Sequence, residues 1–147
     1  MTLATLTLGP WSQLGPAASQ IRMAVFVHEQ NIPAELEWDV ADHTAVHAVI
    51  HTAQGQPVAT GRLLVQAPGV GRIGRMAVLS DLRGSGLGQR VLEALVQVAQ
   101  ARGDAEVCLH AQISAQGFYE RLGFMPRGAV YAEVGIPHIE MFLNIRQ

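Results

Sequence analysis

The chain has 147 residues, of which 49% are hydrophobic and 15% are charged. This composition excludes an intrinsically disordered chain, and the length is suited to one hydrophobic core, so we expect a single domain over residues 1–147. The net charge of −2 disfavours nucleic acid and anionic membranes as partners, because proteins that bind polyanions usually present a basic surface.

The first third of the chain predicts an edge strand, a helix and a long loop. Residues 2–8 alternate threonine with leucine and alanine, which is the two-residue period of a strand with one buried face. Residues 11–30 carry apolar side chains at helical spacing, although Gly15 and Pro16 predict that the regular helix occupies only the second half of that segment. Residues 31–44 are polar and predict a long ordered loop, and loops of this length often carry function.

The middle of the chain predicts an antiparallel meander followed by a crossover. Three strand-like runs are separated by short turns that contain glycine and proline, at residues 46–53, 58–66 and 72–79. Residues 87–101 form the clearest helix, because their leucine, valine and alanine side chains make one apolar stripe. A further strand follows at residues 105–111, so this strand and the last strand of the meander are expected to be parallel neighbours.

The end of the chain predicts a short helix and two strands. Ser114 is the candidate N-cap of a helix that runs to Leu122. Two strands follow from Phe124, on either side of a break at Gly135-Ile136-Pro137. These elements together predict a mixed α/β fold.

Charged residues are unevenly distributed along the chain. Between Met23 and Gly61 every charged residue is acidic, whereas residues 62–90 contain five arginines and one aspartate. This asymmetry predicts a cleft that holds a polyanion at one end and a cationic partner at the other. Alternatively, both stretches are solvated loops and strand edges.

A glycine-rich segment, Arg83-Gly84-Ser85-Gly86-Leu87-Gly88, joins a predicted strand to the strongest predicted helix. Small residues let the backbone approach a ligand, and the free amides and positive dipole end of a helix favour an anion such as a diphosphate. A nucleotide P-loop would end in Gly-Lys-Ser/Thr, and a dinucleotide fingerprint would follow the first strand of a parallel sheet, so both alternatives fit poorly.

The same segment resembles the pyrophosphate loop of the GNAT superfamily of acetyl-CoA-dependent N-acyltransferases, Q/R-x-x-G-x-G/A, through Arg83, Gly86 and Gly88. Residues 115–124 are similar to a second signature of the family, A-x-x-F-Y-x-x-x-G-F, although Gln112 stands where the family often has asparagine. Three other segments resemble the small bacterial ElaA/YjcF-like branch: Val25-Phe26-Val27-His28-Glu29-Gln30, Glu37-Trp38-Asp39 and Gly135-Ile136-Pro137-His138. The resemblance implies a mixed, mostly antiparallel sheet of about six or seven strands, flanked by helices and opened by a splayed parallel strand pair.

The resemblance further implies acetyl-CoA as cosubstrate. Free backbone groups of Met76, Ala77 and Val78 would bond the pantetheine arm, and the Val78 amide would stabilise the developing oxyanion. The other residues implied to contact acetyl-CoA are Arg83, Gly84, Ser85, Gly86, Leu87, Gly88, Gln89, Gln112, Phe118 and Tyr119.

Acid and base candidates follow from the same resemblance and from the chemistry of amine acylation. Tyr119 matches the tyrosine that protonates the departing CoA thiolate, and a phenol with a pKa of about 10 is protonated at neutral pH. Alternatively, Tyr119 is an aromatic core residue. A base must deprotonate an ammonium acceptor, and Glu29 and His138 are preferred from a set that also contains Glu37, Asp39, His110 and Glu133.

The acceptor is expected to be cationic. Glu29, Glu37 and Asp39 are the candidate substrate-binding residues, and on an extended segment Glu37 and Asp39 would share a face and could grip a cationic group. His43, His47 and His51 repeat every four residues, but no cysteine or H-E-x-x-H pattern accompanies them, so we expect no metal site.

The predicted activity is transfer of an acetyl group from acetyl-CoA to a primary amine of a small molecule or peptide, by direct attack in a ternary complex. One alternative is acyl transfer like that of acyl-homoserine-lactone synthases, which share the fold. Another is a non-catalytic acyl-CoA sensor or interaction module, because a fold and a binding motif do not establish turnover. Homodimers are common among similar proteins, so a homodimer is possible, although no feature of the sequence determines it.

The sequence also predicts a cytoplasmic protein of the bacterial branch. Its apolar runs are interrupted well before the ~18 residues of a membrane span, and no signal peptide is recognised at its start. The single cysteine, Cys108, fits a reducing compartment and lies in an apolar run, where core packing is expected instead of an acyl-cysteine role.

Overall fold

The structure, a computed structural model, describes residues 4–146 of the chain. The strands are β1 (Thr5–Gly9), β2 (Val46–His51), β3 (Pro57–Ala67), β4 (Val70–Val78), β5 (Glu106–Gln112), β6 (Met125–Glu133) and β7 (Ile136–Asn144). The helices are α1 (Trp11–Arg22), α2 (Leu87–Ala101) and α3 (Gln116–Arg121). The first strand begins later than predicted, at Thr5, and residues 2 and 3 of that prediction lie outside the described residues.

One seven-stranded sheet organises the molecule, in the order β1-β2-β3-β4-β5-β7-β6. The meander β2-β3-β4 is antiparallel, and β4 and β5 are parallel neighbours across α2, as the sequence predicted. The remaining neighbouring strands pair antiparallel. The fold class predicted from the sequence is therefore confirmed, with a mixed and mostly antiparallel sheet flanked by helices.

Helix α1 covers one face of the sheet, and its predicted start was wrong. The helix is regular from Trp11 onward, with Pro16 inside it. Gly15 leaves room for the indole, because a Cβ there would lie 2.8 Å from Trp11 Cε2. Ala18 and Ile21 are fully buried, and this tertiary packing outweighs the local helix-breaking effect of the proline.

The chain continues from α1 into irregular helical turns. A π-helical segment, Met23–Glu29, follows α1 directly. The predicted loop 31–44 then contains two short 3₁₀ turns, Ala34–Leu36 and Val40–His43. No helix in the described part of the chain is both long enough and apolar enough to span a membrane.

Helix α2 covers the opposite face and has the predicted bounds. Its apolar stripe is buried against the centre of the sheet, through Val91, Leu92, Leu95 and Ala99. Gly61 of β3 permits the close approach, because a Cβ there would lie 2.8 Å from Val91 Cγ1. The main core of the protein therefore lies between α2 and the sheet.

The short helix near the end of the chain begins later than predicted. A 3₁₀ turn, Ile113–Ala115, leads into α3, whose N-cap position is Ala115. Ser114 is exposed and is not the cap, so that prediction was wrong. The break between the last strands falls at Val134 and Gly135, both with positive φ, and Ile136 already belongs to β7.

The parallel pair opens within the sheet. Pairing between β4 and β5 runs from Val70 with Glu106 to Ile73 with Leu109 and then stops. Beyond it, Gly74, Ala77 and Val78 of β4 stay paired with β3, while residues 110–112 of β5 stay paired with β7. Arg75 has a positive φ at an irregularity in the β3–β4 pairing, and irregularities of this kind bend a strand. A cleft therefore opens between the carboxyl ends of two adjacent parallel strands.

Candidate functional site

The glycine-rich segment forms an open backbone cradle at the start of α2. Gly84 and Gly86 have φ values of +80° and +87°, and a Cβ on either would meet nothing within 4 Å. Gly86 is the N-cap of α2, so the first amides of the helix lack intrahelical acceptors and are directed to the cradle. This arrangement suits a polyanion such as a diphosphate.

The cradle lies against the two other elements that the sequence assigned to the same ligand. A Cβ placed on Gly88 would lie 3.5 Å from Phe118 Cζ in α3 and 3.6 Å from Val78 Cγ2 at the end of β4. Met76 packs on the core beneath α2 and Ala77 packs with residues of α1, so their side chains lie on opposite faces of the sheet. The β4 backbone at these residues has no partner in β5 and borders the cleft. The structure thus brings the predicted loop, strand and helix residues together at the open end of the β4–β5 pair.

An ion pair between Arg83 and Glu29 lies beside the glycine-rich cradle. Both terminal nitrogens of Arg83 donate to the Glu29 carboxylate, at 2.5 and 2.6 Å, and Arg83 Nε donates to the Val78 carbonyl at 3.1 Å. The hydrogen bonds from Arg83 lower the pKa of Glu29. The sequence named both residues but did not predict this contact, which links the π-helical segment to the glycine-rich loop.

Tyr119 is buried in the main core, where α3 meets the cradle, and packs between two other aromatic residues. Its ring packs edge-on against Phe118 and Phe124, with centroids 5.0 and 5.9 Å away. Burial raises the pKa of Tyr119 to about 12. The phenol is therefore protonated across the physiological pH range and is able to donate a proton or a hydrogen bond.

Glu37 and Asp39 lie against arginines of the chain and not on a shared open face. Glu37 is buried, and its Oε1 lies 2.5 Å from Arg22 Nε. Burial raises the pKa of Glu37, while Arg22 opposes that effect. Asp39 pairs with Arg62 at 2.7 Å and with Arg75 at 3.3 Å. Much of the charge asymmetry of the sequence is thus internal pairing between the acidic stretch and the arginines.

Asp42 is the centre of this charged network and was not identified from the sequence. Arg22 donates two hydrogen bonds of 2.9 Å to its carboxylate, and Arg62 donates a third of 2.8 Å. Burial alone would raise the pKa of Asp42, but these hydrogen bonds outweigh it and lower the pKa to about 2. A buried acid inside a polar loop gave no signal in the sequence that distinguished it from its exposed neighbours.

A second polar cluster lies across the cleft, on β5, β6 and β7. Gln112 donates to Gln30 Oε1 at 3.0 Å, and the Tyr131 hydroxyl lies 2.6 Å from His110 Nδ1. His138 is buried, donates from Nδ1 to the Ile136 carbonyl at 2.7 Å, and stacks on Tyr131. His138 and His110 were both base candidates from the sequence, and His138 was preferred. Tyr131 was not predicted, because its contact with His110 depends on the register of β6.

Two further predictions concern cysteine and metal. Cys108 is buried, and burial raises the pKa of its thiol, so the prediction of core packing is confirmed. Within residues 4–146 no group of three or more histidine, cysteine, aspartate or glutamate side chains is arranged to hold a metal ion.

Comparisons with known proteins agree with this geometry. Residues 14–145 match the family described as the acetyltransferase (GNAT) domain. The chain is 34% identical over 125 residues to the uncharacterized N-acetyltransferase YjcF of Bacillus subtilis, covering 84% of this chain and 88% of that protein.

Solved structures show the same relationship. Escherichia coli ElaA has a TM-score of 0.85 and 32% identity, with 99% of this chain and all of that chain covered. An acyl-CoA N-acyltransferase from Pseudomonas aeruginosa has a TM-score of 0.84 and 34% identity, covering 95% of this chain and 99% of that chain. The chain therefore belongs to the GNAT acetyltransferase family, in the small bacterial branch that includes YjcF and ElaA.

Proposed function

We propose that this protein transfers an acetyl group from acetyl-CoA to a primary amine of a small molecule or peptide, by direct attack in a ternary complex. The observation that carries the proposal is the opening of the β4–β5 pair beside the glycine cradle and Tyr119. Membership of the family supports acyl transfer from an acyl-CoA. The acetyl donor, the amine acceptor and the order of steps are the proposed refinements.

The donor would lie along β4 and end at the cradle. Residues 76–78 would bond the pantetheine arm through backbone groups on the side of β4 that faces the cleft. The amides of residues 83–89 would hold the pyrophosphate, with Arg83 as the nearby cation. Arg83 is paired with Glu29. When the donor binds, Arg83 would therefore either leave Glu29 or contact the pyrophosphate and Glu29 together.

The chemical step needs an oriented amine and a donor for the leaving sulfur. The neutral amine attacks the thioester carbon, its C–N bond forms, and the electron pair of the C–S bond moves to sulfur. The Val78 amide would stabilise the oxyanion, and Tyr119 would protonate the thiolate. The raised pKa keeps Tyr119 protonated, so a proton is present for that role.

Of the three carboxylates predicted to bind substrate, the exposed Glu29 supports a cationic acceptor. Glu29 is exposed at the cleft and would contact the acceptor once Arg83 turns to the donor. Glu37 and Asp39 would act on the acceptor through the loop that their arginine partners hold in place. The sequence candidates for the base are Glu29 and His138, and the low pKa of Glu29 beside Arg83 disfavours that residue.

The test is thiol release from acetyl-CoA in the presence of polyamines, amino acids, aminoglycosides or short peptides, together with thermal stabilisation by acetyl-CoA. Stabilisation and acceptor-dependent thiol release would support the proposal. Stabilisation without release from any acyl-CoA would instead identify a sensor. Release only from longer acyl-CoAs would identify a different acyltransferase.

Two properties of the whole protein accompany the proposal. A cytoplasmic location is supported by the buried, unpaired Cys108, which suits a reducing compartment. Homodimerisation stays a prediction, and the molecular mass in solution would decide it.

A further inference from the structure

The polar cluster on β5, β6 and β7 lies where the sheet opens. His110 is the first residue of β5 beyond the last pair with β4, Ile73 with Leu109. Leu109 and Ala111 belong to the core beneath α2, so strand alternation places His110 on the other face of the sheet. On that face Gln112, two residues further, bonds Gln30 at the end of the π-helical segment. His110 therefore lies at the apex of the cleft, on the side where the acceptor is proposed to enter.

An irregularity in the last hairpin brings Tyr131 to His110. Between Arg127 and Tyr131 the register of β6 against β7 shifts, and Gly128 adopts a φ of +83° there. The resumed pairing sets Tyr131 opposite His138, whose ring stacks on it with centroids 5.9 Å apart. Bulges of this kind are known to redirect side chains beside active sites. Tyr131 is thus held half-buried with its hydroxyl 2.6 Å from His110 Nδ1.

The contacts of Nδ1 favour one tautomer of His110. The nearest groups to Nδ1 are the Tyr131 hydroxyl and, at 3.5 Å, a terminal nitrogen of Arg72. The positive charge of Arg72 disfavours an N–H at Nδ1, so the neutral imidazole keeps its lone pair there and accepts the Tyr131 hydroxyl proton. Burial, and then the Arg72 charge, lower the pKa of His110 from its ordinary value. The imidazole is therefore neutral near pH 7 and able to accept a proton.

We propose that Tyr131 and His110 form the proton relay that deprotonates the acceptor. This proposal rests on the proposed function. A proton of the bound ammonium passes to the Tyr131 oxygen while the hydroxyl proton of Tyr131 passes to His110 Nδ1, and the imidazolium later releases it to solvent. After the attack the nitrogen loses a second proton, and Tyr119 gives one proton to sulfur. These two transfers cancel in the overall proton balance. The products are then an amide, free CoA thiol and one proton.

The two base candidates named from the sequence are less well arranged for this step. Both oxygens of Glu29 are bonded to Arg83. The Nδ1 of His138 is engaged by the Ile136 carbonyl, and its Nε2 lies 3.7 Å from Glu133. In the relay His138 is a positioning residue, because it stacks on Tyr131.

Several charged groups around His110 set the expected pH profile. Arg72 faces it from β4, Tyr131 and Glu133 from β6, and Glu140 and His138 from β7. Arg72 favours the neutral imidazole, whereas the two glutamates favour the protonated form. Because burial and Arg72 prevail, kcat/KM for the acceptor should fall on the acid side at a pH below the ordinary histidine value of about 6.5.

The test compares two relay variants with a matched histidine variant. His110→Gln keeps a hydrogen-bonding side chain but cannot take up the proton, and Tyr131→Phe removes only the hydroxyl. Each should lower kcat by about 100-fold or more, replace the acid limb of kcat/KM set by His110 with one set by the pKa of the acceptor amine, and leave acetyl-CoA affinity unchanged. The double variant should be no worse than the worse single variant, because the two residues act as a unit.

His51→Gln is the control, because His51 lies on β2 near the far edge of the sheet. It should retain the activity and pH profile of the unmodified protein. If His110→Gln has the activity of this control, the relay is wrong while the proposed function stands. The same holds if His110→Gln keeps the acid limb of the unmodified protein and Glu29→Gln loses it. If the unmodified protein releases no thiol with any amine, both proposals are wrong. Urea unfolding of each variant separates loss of catalysis from loss of fold.

Discussion

At the scale of single residues, Tyr119 is the proposed acid, and its role can be tested without disturbing the packing around it. The phenol is buried between Phe118 and Phe124, and burial raises its pKa to about 12, so it is protonated near neutral pH. Phenylalanine would fill the same space without the hydroxyl. The substitution therefore separates catalysis from packing.

We expect Tyr119→Phe to lower kcat by about 10²-fold or more while the Kd for acetyl-CoA stays nearly unchanged, because general acid catalysis commonly contributes that much. Steady-state thiol release gives kcat, and calorimetric titration with acetyl-CoA gives Kd. Phe118→Leu is the control for aromatic packing, since its ring also borders the cradle but carries no proton. Unchanged turnover in Tyr119→Phe would remove the acid assignment.

The second residue-scale prediction concerns the ion pair between Glu29 and Arg83. Both side chains are partly exposed, so their mutual attraction is modest, but Arg83 must serve the donor pyrophosphate in the proposed complex. Removing the carboxylate frees that arginine. Glu29→Gln should thus strengthen acetyl-CoA binding by roughly two- to fivefold at low salt, and the gain should shrink as ionic strength rises.

Glu35→Gln is the matched control for this experiment, because it removes the same charge from an exposed glutamate in the neighbouring loop. Binding is followed by titration calorimetry at two salt concentrations. An affinity that falls in Glu29→Gln, or rises equally in both variants, would show that Glu29 does not compete for Arg83.

At the scale of elements, the loop over residues 31–44 is held in place by charge and not by apolar packing. Its exposed side chains include large apolar ones, Leu36, Trp38 and Val40, while its buried ones are Glu37 and Asp42. Arg22 comes from α1, and Arg62 and Arg75 come from β3 and β4. The network therefore ties this loop to the sheet.

Loss of the Asp42 carboxylate should release this loop. Asp42→Asn leaves Arg22 and Arg62 buried with weakened partners, and breaking a buried pair of this kind costs about 3–5 kcal/mol. We expect that decrease in the free energy of unfolding in urea at pH 7. Asp81→Asn, at an exposed position outside the network, should change it by less than about 0.5 kcal/mol.

The same carboxylate predicts how stability depends on pH. The pKa of Asp42 is about 2 when folded and near 3.8 when unfolded, so its contribution is complete above about pH 4 and is lost as pH falls toward 2. Urea unfolding between pH 5 and pH 2 should show this loss in the unmodified protein and a shallower dependence in Asp42→Asn. Equal pH dependence in the two proteins would contradict the assignment.

The elements also show what local sequence is able to predict. The bounds of α2 follow from its unbroken apolar stripe and its flanking glycines. The start of α1 could not be predicted, because Pro16 is a local helix breaker whose cost is outweighed by burial of Ala18 and Ile21 in the folded protein. Ser114 is not the cap, because it lies inside a 3₁₀ turn that precedes α3.

At the scale of the whole molecule, the order of the central strands followed from the sequence because hairpins and a crossover constrain neighbours. The insertion of β7 between β5 and β6 did not follow, because it joins segments distant along the chain. The cleft was likewise predictable only in part. Its loop and Tyr119 carry recognisable motifs, whereas the contacts between Glu29 and Arg83 and between Tyr131 and His110 depend on tertiary register.

The most direct test of the central claim follows the acetyl group itself. The protein is incubated with acetyl-CoA labelled in the acetyl group and with the amine that gives the fastest thiol release, and the products are analysed by mass spectrometry. We predict that the label appears in an amide of the amine, in a 1:1 ratio with free CoA, in the unmodified protein and equally in Cys108→Ala. Label found only in acetate, or retained on Cys108, would contradict direct transfer to an amine.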